Sequence, residues 1–390
     1  MLLLKNCKLV GELTEGTELT MADMVMNDKT ITDIVPCGSV AEEGYEVLDV
    51  KGATVLPGLI NAHVHLFGAD YPKAWWAYES AADRTLDSLR FAQYLMENGY
   101  TTVRDCGDDL RYLTIAVRNQ IREGYFKGPN ILCSGPTLLP SEIGCEGLEW
   151  MCKFCDTPMD YRVAVREVLK NGADFAKIYG TGSMIAPGSV PGLRIMMEDE
   201  IIEAVQTAKL KNTYCAIHCH GAECIDMAVT NGVRTIEHAT FISDDTCKKM
   251  DGRTDVGLVL TLSLVYEWLQ AETIPAEKQE TLDNMIAALK NAYAHDILIG
   301  WGTDVGMDVQ KKEVGMEFRL RKELLGFSNI DMLKQATINS AKLIMMEDKV
   351  GSIKVGKMAD LVVIDGDPVE DISLMYGAPA HVIKSGEVVK

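Results

Sequence analysis

Apolar and polar residues alternate with a two-residue period through much of the first 57 positions, in LLLKNCKLVG, DMVMNDKTITDIV and YEVLDVKGATVLPG. That period is the mark of strands with one buried face. It returns near the other end in ADLVVIDGDP and HVIKSGEVVK. Between these ends the rhythm changes. Eight short apolar runs, ending at His65, Asp105, Ser134, Tyr179, His220, His238, Ser263 and Trp301, alternate with stretches of helical period. Ile201, Val205 and Ala208 recur at i, i+4 and i+7, and Leu86, Leu89 and Ala92 lead to Gly99, placed as a C-cap. Eight strand–helix units in roughly 250 residues predict an α/β fold, a (β/α)₈ TIM barrel, over residues 58–345. The two β-rich ends, residues 1–57 and 346–390, predict one small β-sandwich domain that is discontinuous in sequence.

Composition narrows the field. A net charge of −19 over 390 residues argues against nucleic acid and anionic membrane surfaces as partners. Eleven cysteines scattered through apolar segments fit reduced thiols in a cytoplasm better than a disulfide framework. The apolar start MLLLKNCKLVGE is too short for a signal peptide. The longest apolar run, Val256 to Tyr266, is too short to span a bilayer and reads as buried core.

Histidine placement points to chemistry. GLINAHVHLFG holds His63 and His65, CAIHCHGAE holds His218 and His220, and TIEHAT holds His238. Residues i and i+2 of a strand face the same side, so each His-x-His pair can aim two imidazoles into one barrel. Five of the seven histidines thus sit at three strand ends, on the face where barrel enzymes do chemistry. His295 and His381 read as structural. IGWGTDVG ends the eighth run with Asp304, a carboxylate suited to accept a proton from a metal-held water.

ADFAKIYGTG then poses a problem, because Lys177 interrupts an apolar run and lysine is almost never fully buried unless paired. A snorkelling ammonium is the plain reading. The ligand count offers another. His63, His65 and Asp304 can hold one metal and His218 and His238 a second, and each lacks a bridging anion. Lysine carboxylated by carbon dioxide is an anion with two oxygens, and it would remove the cost of a buried cation.

At this point the motifs match a known group. LPGLINAHVHLFG, GYTTVRDCGD, ADFAKIYGTG, HCHGAE, TIEHAT and GTDVG, with the tail NSAKLIMMEDKVGSIKVGKMADLVVIDGDPVEDI, make the chain resemble the amidohydrolase superfamily over nearly its whole length. The resemblance is to the binuclear, carboxylated-lysine branch and its prolidase-like group, which includes Xaa-Pro dipeptidases and relatives of imidazolonepropionase. It implies His63, His65, carboxylated Lys177, His218, His238 and Asp304 as ligands of two divalent metals, zinc by donor type. It also implies His220 as the residue that meets substrate. The segment after the third run, SGPTLLPSEIGCEGLEWMCKFCDTP, lacks the histidine that relatives often carry there.

The resulting expectation is a cytoplasmic, homo-oligomeric, dipeptidase-like hydrolase. It would cleave a C–N amide bond of a small carboxylate-bearing substrate, a dipeptide or N-acyl amino acid, by a metal-bridged hydroxide. Asp304 would be the proton acceptor and His220 the oxyanion or substrate contact. A deaminase or cyclic-amide hydrolase on the same scaffold is the alternative, with a non-catalytic interaction protein further off. Trp75, Trp76, Tyr78, Tyr266 and Trp268 are candidates to wall the pocket, and Gly180–Gly192 reads as a loop over substrate. GSIKVGKM approaches a phosphate loop but leads into a strand, and so reads as a hairpin turn. Glu223 of HGAE reads as the start of a helix. Cys152-x-x-Cys155, with Cys145 nearby, is too little to imply a metal or redox site by itself.

Overall fold

The computed structural model describes residues 1–67, 80–142, 150–184 and 188–390. Eight of the runs read from the sequence become parallel strands: Leu59–Val64, Tyr100–Asp105, Asn130–Cys133, Ala176–Tyr179, Cys215–Cys219, Thr235–His238, Gly257–Leu260 and Ile299–Trp301. The first three form one parallel sheet and the last five another, with the short strands Thr137–Leu139 and Cys152–Phe154 added beside the fourth. Two seams join the sheets into a barrel. At one, Asp174 N–H donates to Cys133 O at 2.7 Å, and the Asp174 carboxylate accepts from Cys133 N–H at 2.9 Å. At the other, the N–H groups of Thr303 and Asp304 donate to His63 O at 3.3 and 3.0 Å, while Asn61 Nδ2 donates to Thr303 Oγ1 at 2.8 Å. Gly302 permits that approach, since a Cβ there would lie 2.7 Å from His63 Cβ.

The helices pack by the stripes their sequences carry. Glu198–Lys209 buries Ile201, Ala204, Val205 and Ala208. Burying the Ile201 and Val205 side chains contributes about 1.5–3 kcal/mol each. Ala81–Glu97 starts at Ser80, whose side chain accepts from Asp83 N–H, and buries Arg84, Ser88, Phe91, Ala92, Leu95 and Met96. Leu86 is 62% exposed, so the expected stripe was out of phase at its first member. Asn98 is the cap, and Gly99 follows with φ +97°.

The two chain ends meet in a single eight-stranded sheet. Its order is Glu387–Val388, His381–Lys384, Leu361–Ile364, Thr54–Pro57, Leu2–Leu9, Met21–Asn27 and Thr30–Val35, with Glu46–Asp49 also beside Leu2–Leu9. Leu2, Leu4, Met24, Met26, Val55, Leu361, Val363 and Ile383 form its core. Asn6 has φ +58° where the register with Met21–Asn27 shifts. The bulge explains why LLLKNCKL does not alternate cleanly.

GSIKVGKM makes no phosphate loop. Ile353 bridges Thr14 and Met358 bridges Thr30; the segment itself turns at Lys354–Lys357, where Lys357 N–H donates to Lys354 O at 3.1 Å, and Met358 N–H donates back to Lys349 O at 2.9 Å. Tyr266 and Trp268 pack with the barrel core; Trp75, Trp76, Tyr78 and Cys145 lie outside the described residues. No helix among the described residues is long and apolar enough to cross a membrane.

Candidate metal centre

The five singled-out histidines and Asp304 converge at the C-terminal ends of strands one, five, six and eight. His63 lies on the first strand and His65 one residue past it, with ring centroids 5.5 Å apart. The Asp304 Oδ1 atom is 3.5 Å from His63 Nε2 and 3.3 Å from His65 Nε2. Its Oδ2 is 3.9 Å from His238 Nε2. The His238 ring lies 5.0 Å from that of His63, 4.6 Å from that of His218 and 4.8 Å from that of His220. Ligating nitrogens of His218, His220 and His238 fall within 4.8 Å of one another, as do those of His63 and His238 with an oxygen of Asp304. By distance alone His220 is as able to ligate as its neighbours. His295 instead sits 3.4 Å from Asp244 at the surface, and Glu223 opens the helix Ala222–Thr230 and pairs with Arg194 at 3.1 Å.

Two backbone features aim these groups. His238 and Ala239 have φ of +70° and +53°, and Asp304 has φ +53°. Non-glycine residues there cost on the order of 1–3 kcal/mol each. The chain turns at these strand ends, where His238 Nε2 and Asp304 Oδ2 come within 3.9 Å. Hydroxyls fix the rings: Thr240 Oγ1 is 2.6 Å from His220 Nδ1, and Thr261 Oγ1 is 2.7 Å from His238 Nδ1. His218 stacks on Tyr179 at 3.8 Å between centroids.

Beneath the histidines lies a network that the motifs did not announce. Glu237, fully buried, accepts from His63 Nδ1–H at 2.6 Å, from Arg104 Nη2 at 2.7 Å and from Thr235 Oγ1 at 2.6 Å. Arg104 also donates to Ala62 O at 2.6 Å and to Thr235 Oγ1 at 2.9 Å. Glu237 therefore fixes the His63 tautomer and leaves Nε2 with its lone pair toward Asp304. Burial would raise the Glu237 carboxyl, but Arg104, His63 and Lys177 outweigh it and bring it down to about 2. Arg104 and Glu237 carry the same sequence signal as Lys177, a charge inside a short apolar run.

Lys177 is 2% exposed. Among the described residues its ammonium makes no hydrogen bond or ion pair. Burial pushes His63 down to about 4 and His220 to about 3, and drives His218 and His238 well below the ordinary histidine range. The Lys177 cation adds to all four shifts. Asp304 is held well below the usual carboxylate range: its burial, which alone would raise it, is outweighed by His63, His65 and Lys177.

These features fit a metal centre. His63, His218, His220 and His238 are held in the neutral form and offer lone pairs, the His65 Nδ1 atom is buried without a partner among the described residues, and the donors are the nitrogen and carboxylate types that zinc and similar ions take.

Comparison with known proteins is consistent across the chain. The model of the Amidohydrolase family matches residues 54–389. Ochratoxinase of Aspergillus niger is 24% identical in an alignment covering 96% of this chain and 84% of that protein. Among solved structures, a Xaa-Pro dipeptidase with bound methionine in the active site superposes with a TM-score of 0.86 at 26% identity, covering 100% of this chain and 99% of that one. A prolidase complexed with N-methylphosphonate-L-proline gives a TM-score of 0.86 at 27% identity, with the same coverage of both chains.

Proposed function

The chain belongs to the amidohydrolase family, and from that premise we propose that it is a binuclear metal hydrolase acting on the C–N amide bond of a small carboxylate-bearing substrate, a dipeptide or an N-acyl amino acid. One observation carries the binuclear reading: Lys177 is buried within electrostatic reach of the imidazoles and of Asp304 and Glu237, yet its ammonium makes no direct hydrogen bond or ion pair among the described residues. A buried ammonium without a direct hydrogen-bonding partner is costly. A carbamate formed with carbon dioxide turns that cation into a two-oxygen anion. His63, His65 and Asp304 would hold one divalent ion, His218 and His238 the other, and carboxylated Lys177 both. Such a pair of ions, when bound, acts as a Lewis acid and lowers the pKa of water.

The chain's own groups supply the rest. As an ammonium, Lys177 pulls the Asp304 carboxyl down and the imidazoles with it. A carbamate reverses that sign and raises Asp304 toward the basicity a proton acceptor needs. Asp304 takes the proton of the attacking water and returns it to the leaving nitrogen. His220, oriented through Nδ1 by Thr240, turns its other nitrogen to the substrate's developing oxyanion. The substrate class is supported by neighbours named as a Xaa-Pro dipeptidase and a prolidase. We also propose the division into a barrel over residues 58–345 and an end domain of residues 1–57 and 346–390.

The test is a panel of Xaa-Pro and other dipeptides, N-acyl amino acids and cyclic amides, assayed on protein purified without chelator, with metal content measured by plasma mass spectrometry. The expected result is about two divalent ions per chain and turnover of a linear amide. One ion per chain with full activity, or turnover of cyclic amides alone, would refute it.

A further inference from the structure

At the other end of the barrel a cleft of about 690 Å³ opens between the barrel and the end sheet. It lies at Asn130, where the third strand begins, and at Asp174, just before the fourth. The histidines stand at the opposite ends of the strands. Strands of three to six residues, at a rise of about 3.3 Å per residue, separate the two sites by roughly 10–20 Å.

The charge of this cleft departs from that of the molecule. Six cationic side chains and two carboxylates line it, in a chain whose net charge is −19. Some of these cations are structural. Lys384 is 8% exposed and bonded to Asp360 at 3.0 Å and to Asn130 at 3.1 Å. Arg118 is 4% exposed and donates to Asp174 at 2.6 Å and to Gly172 O at 2.8 Å. Lys127 pairs with Glu387 at 2.9 Å. These bonds hold the walls in place.

Others are not used up. Lys29 and Lys349 are exposed, and among the described residues neither ammonium makes a hydrogen bond or ion pair. Arg122, 56% exposed at its side chain, reaches Asp174 at only 3.5 Å. Apolar side chains share this lining: Ile121, Phe126, Met346, Met358 and Val389, with Phe126 45% exposed. Cations and apolar side chains lining one cleft match a ligand with a compact dianionic head and a short apolar body.

We propose that this cleft is a second, non-catalytic binding site for an organic phosphate monoester. Lys29, Lys349 and Arg122 take the phosphate oxygens, and the apolar body lies on Phe126, Met346 and Met358. Three separate donors suit the three terminal oxygens of a phosphate better than the two of a carboxylate. The inference is independent of the hydrolase reading, because it uses none of the residues at the histidine cluster.

The test uses hexyl phosphate on the metal-loaded protein, with hydrogen exchange read by mass spectrometry to locate binding. Peptides covering residues 118–132 and 346–349 are expected to exchange more slowly with the probe. The double variant Lys29→Glu, Lys349→Glu should weaken that protection at least tenfold in probe concentration, and raising the salt should weaken it in the parent. Hexanoate should need a higher concentration than hexyl phosphate, and hexanol should protect nothing. Absence of protection by hexyl phosphate, equal protection by hexanoate or hexanol, or an unchanged double variant would each overturn the proposal.

Discussion

Replacing Glu237 by Gln tests the support beneath the histidines without touching an expected ligand. The parent carboxylate accepts three hydrogen bonds, from His63, Arg104 and Thr235, at 2.6–2.7 Å. Gln keeps the shape but leaves the fully buried Arg104 guanidinium with no anion. Breaking a buried pair by removing one partner costs about 3–5 kcal/mol. Proton linkage gives a second figure. The Glu237 carboxyl moves from the ordinary 4.5 down to about 2, which is on the order of 3 kcal/mol of stability. Because the folded value is the depressed one, that stability is present above pH 4.5 and is lost as pH falls toward 2. The two figures agree. Metal binding should suffer too, since the partner that orients a histidine ligand is typically worth about 10–100-fold in affinity. The assays are urea unfolding of chelated parent and Glu237→Gln at pH 7 and at pH 3, and competition for metal against a chromogenic chelator. The difference in stability should be about 3–5 kcal/mol at pH 7 and shrink at pH 3. Equal unfolding midpoints at both pH values, with equal metal affinity, would show that neither Arg104 nor the His63 tautomer depends on Glu237.

Further substitutions separate the remaining roles. Lys177→Ala should empty or cripple the metal site and Lys177→Arg should not restore it, because a guanidinium stays charged and cannot ligate; metal content is the readout, and a fully metallated, active Lys177→Arg enzyme would defeat the carbamate. Asp304→Asn should retain the fold while turnover falls by about 10²–10⁴-fold, and near-parental kcat would place proton transfer elsewhere. His220→Ala should keep two ions per chain and lower kcat, whereas His218→Ala should lose one ion; the opposite pattern would exchange their roles, which the mutual distances permit.

The sequence made the site legible at the strand ends. A His-x-His at the close of an apolar run can face only one way in a barrel strand, so His63, His65, His218 and His220 were readable from spacing. Asp304 was readable from its place after the eighth run. Arg104 and Glu237 were harder, because they sit within TTVRD and TIEHA, where a reader looking for core sees only a short strand. Their partner is more than a hundred residues away, and the sequence holds no local sign of it. The helix at Ala81–Glu97 shows a different failure. Leu86 satisfies the apolar period, yet the buried face includes Arg84 and Ser88, whose polar atoms find partners in Asp109 and the Arg84 carbonyl. Hydrophobicity alone therefore misplaced Leu86, while Leu89 and Ala92 do pack on the core. The bulge at Asn6 is hidden similarly, because its backbone N–H is taken by Asp23, a residue of the neighbouring strand.

The order of strands in the end sheet bears on how the chain is made. Thr54–Pro57 pairs on one side with Leu2–Leu9 and on the other with Leu361–Ile364. Roughly 300 residues lie between Thr54–Pro57 and its second partner along the chain, and at about 5–20 residues per second a ribosome needs some 15–60 s to supply it. For that interval an apolar strand has one open hydrogen-bonding edge, the arrangement most prone to pairing with another nascent chain. The first barrel strand, which carries His63, begins two residues beyond this edge, at Leu59. Yield in the cell should then depend on how fast translation passes through the last barrel segments, and on chaperones that cover Thr54–Pro57 until Leu361–Ile364 arrives.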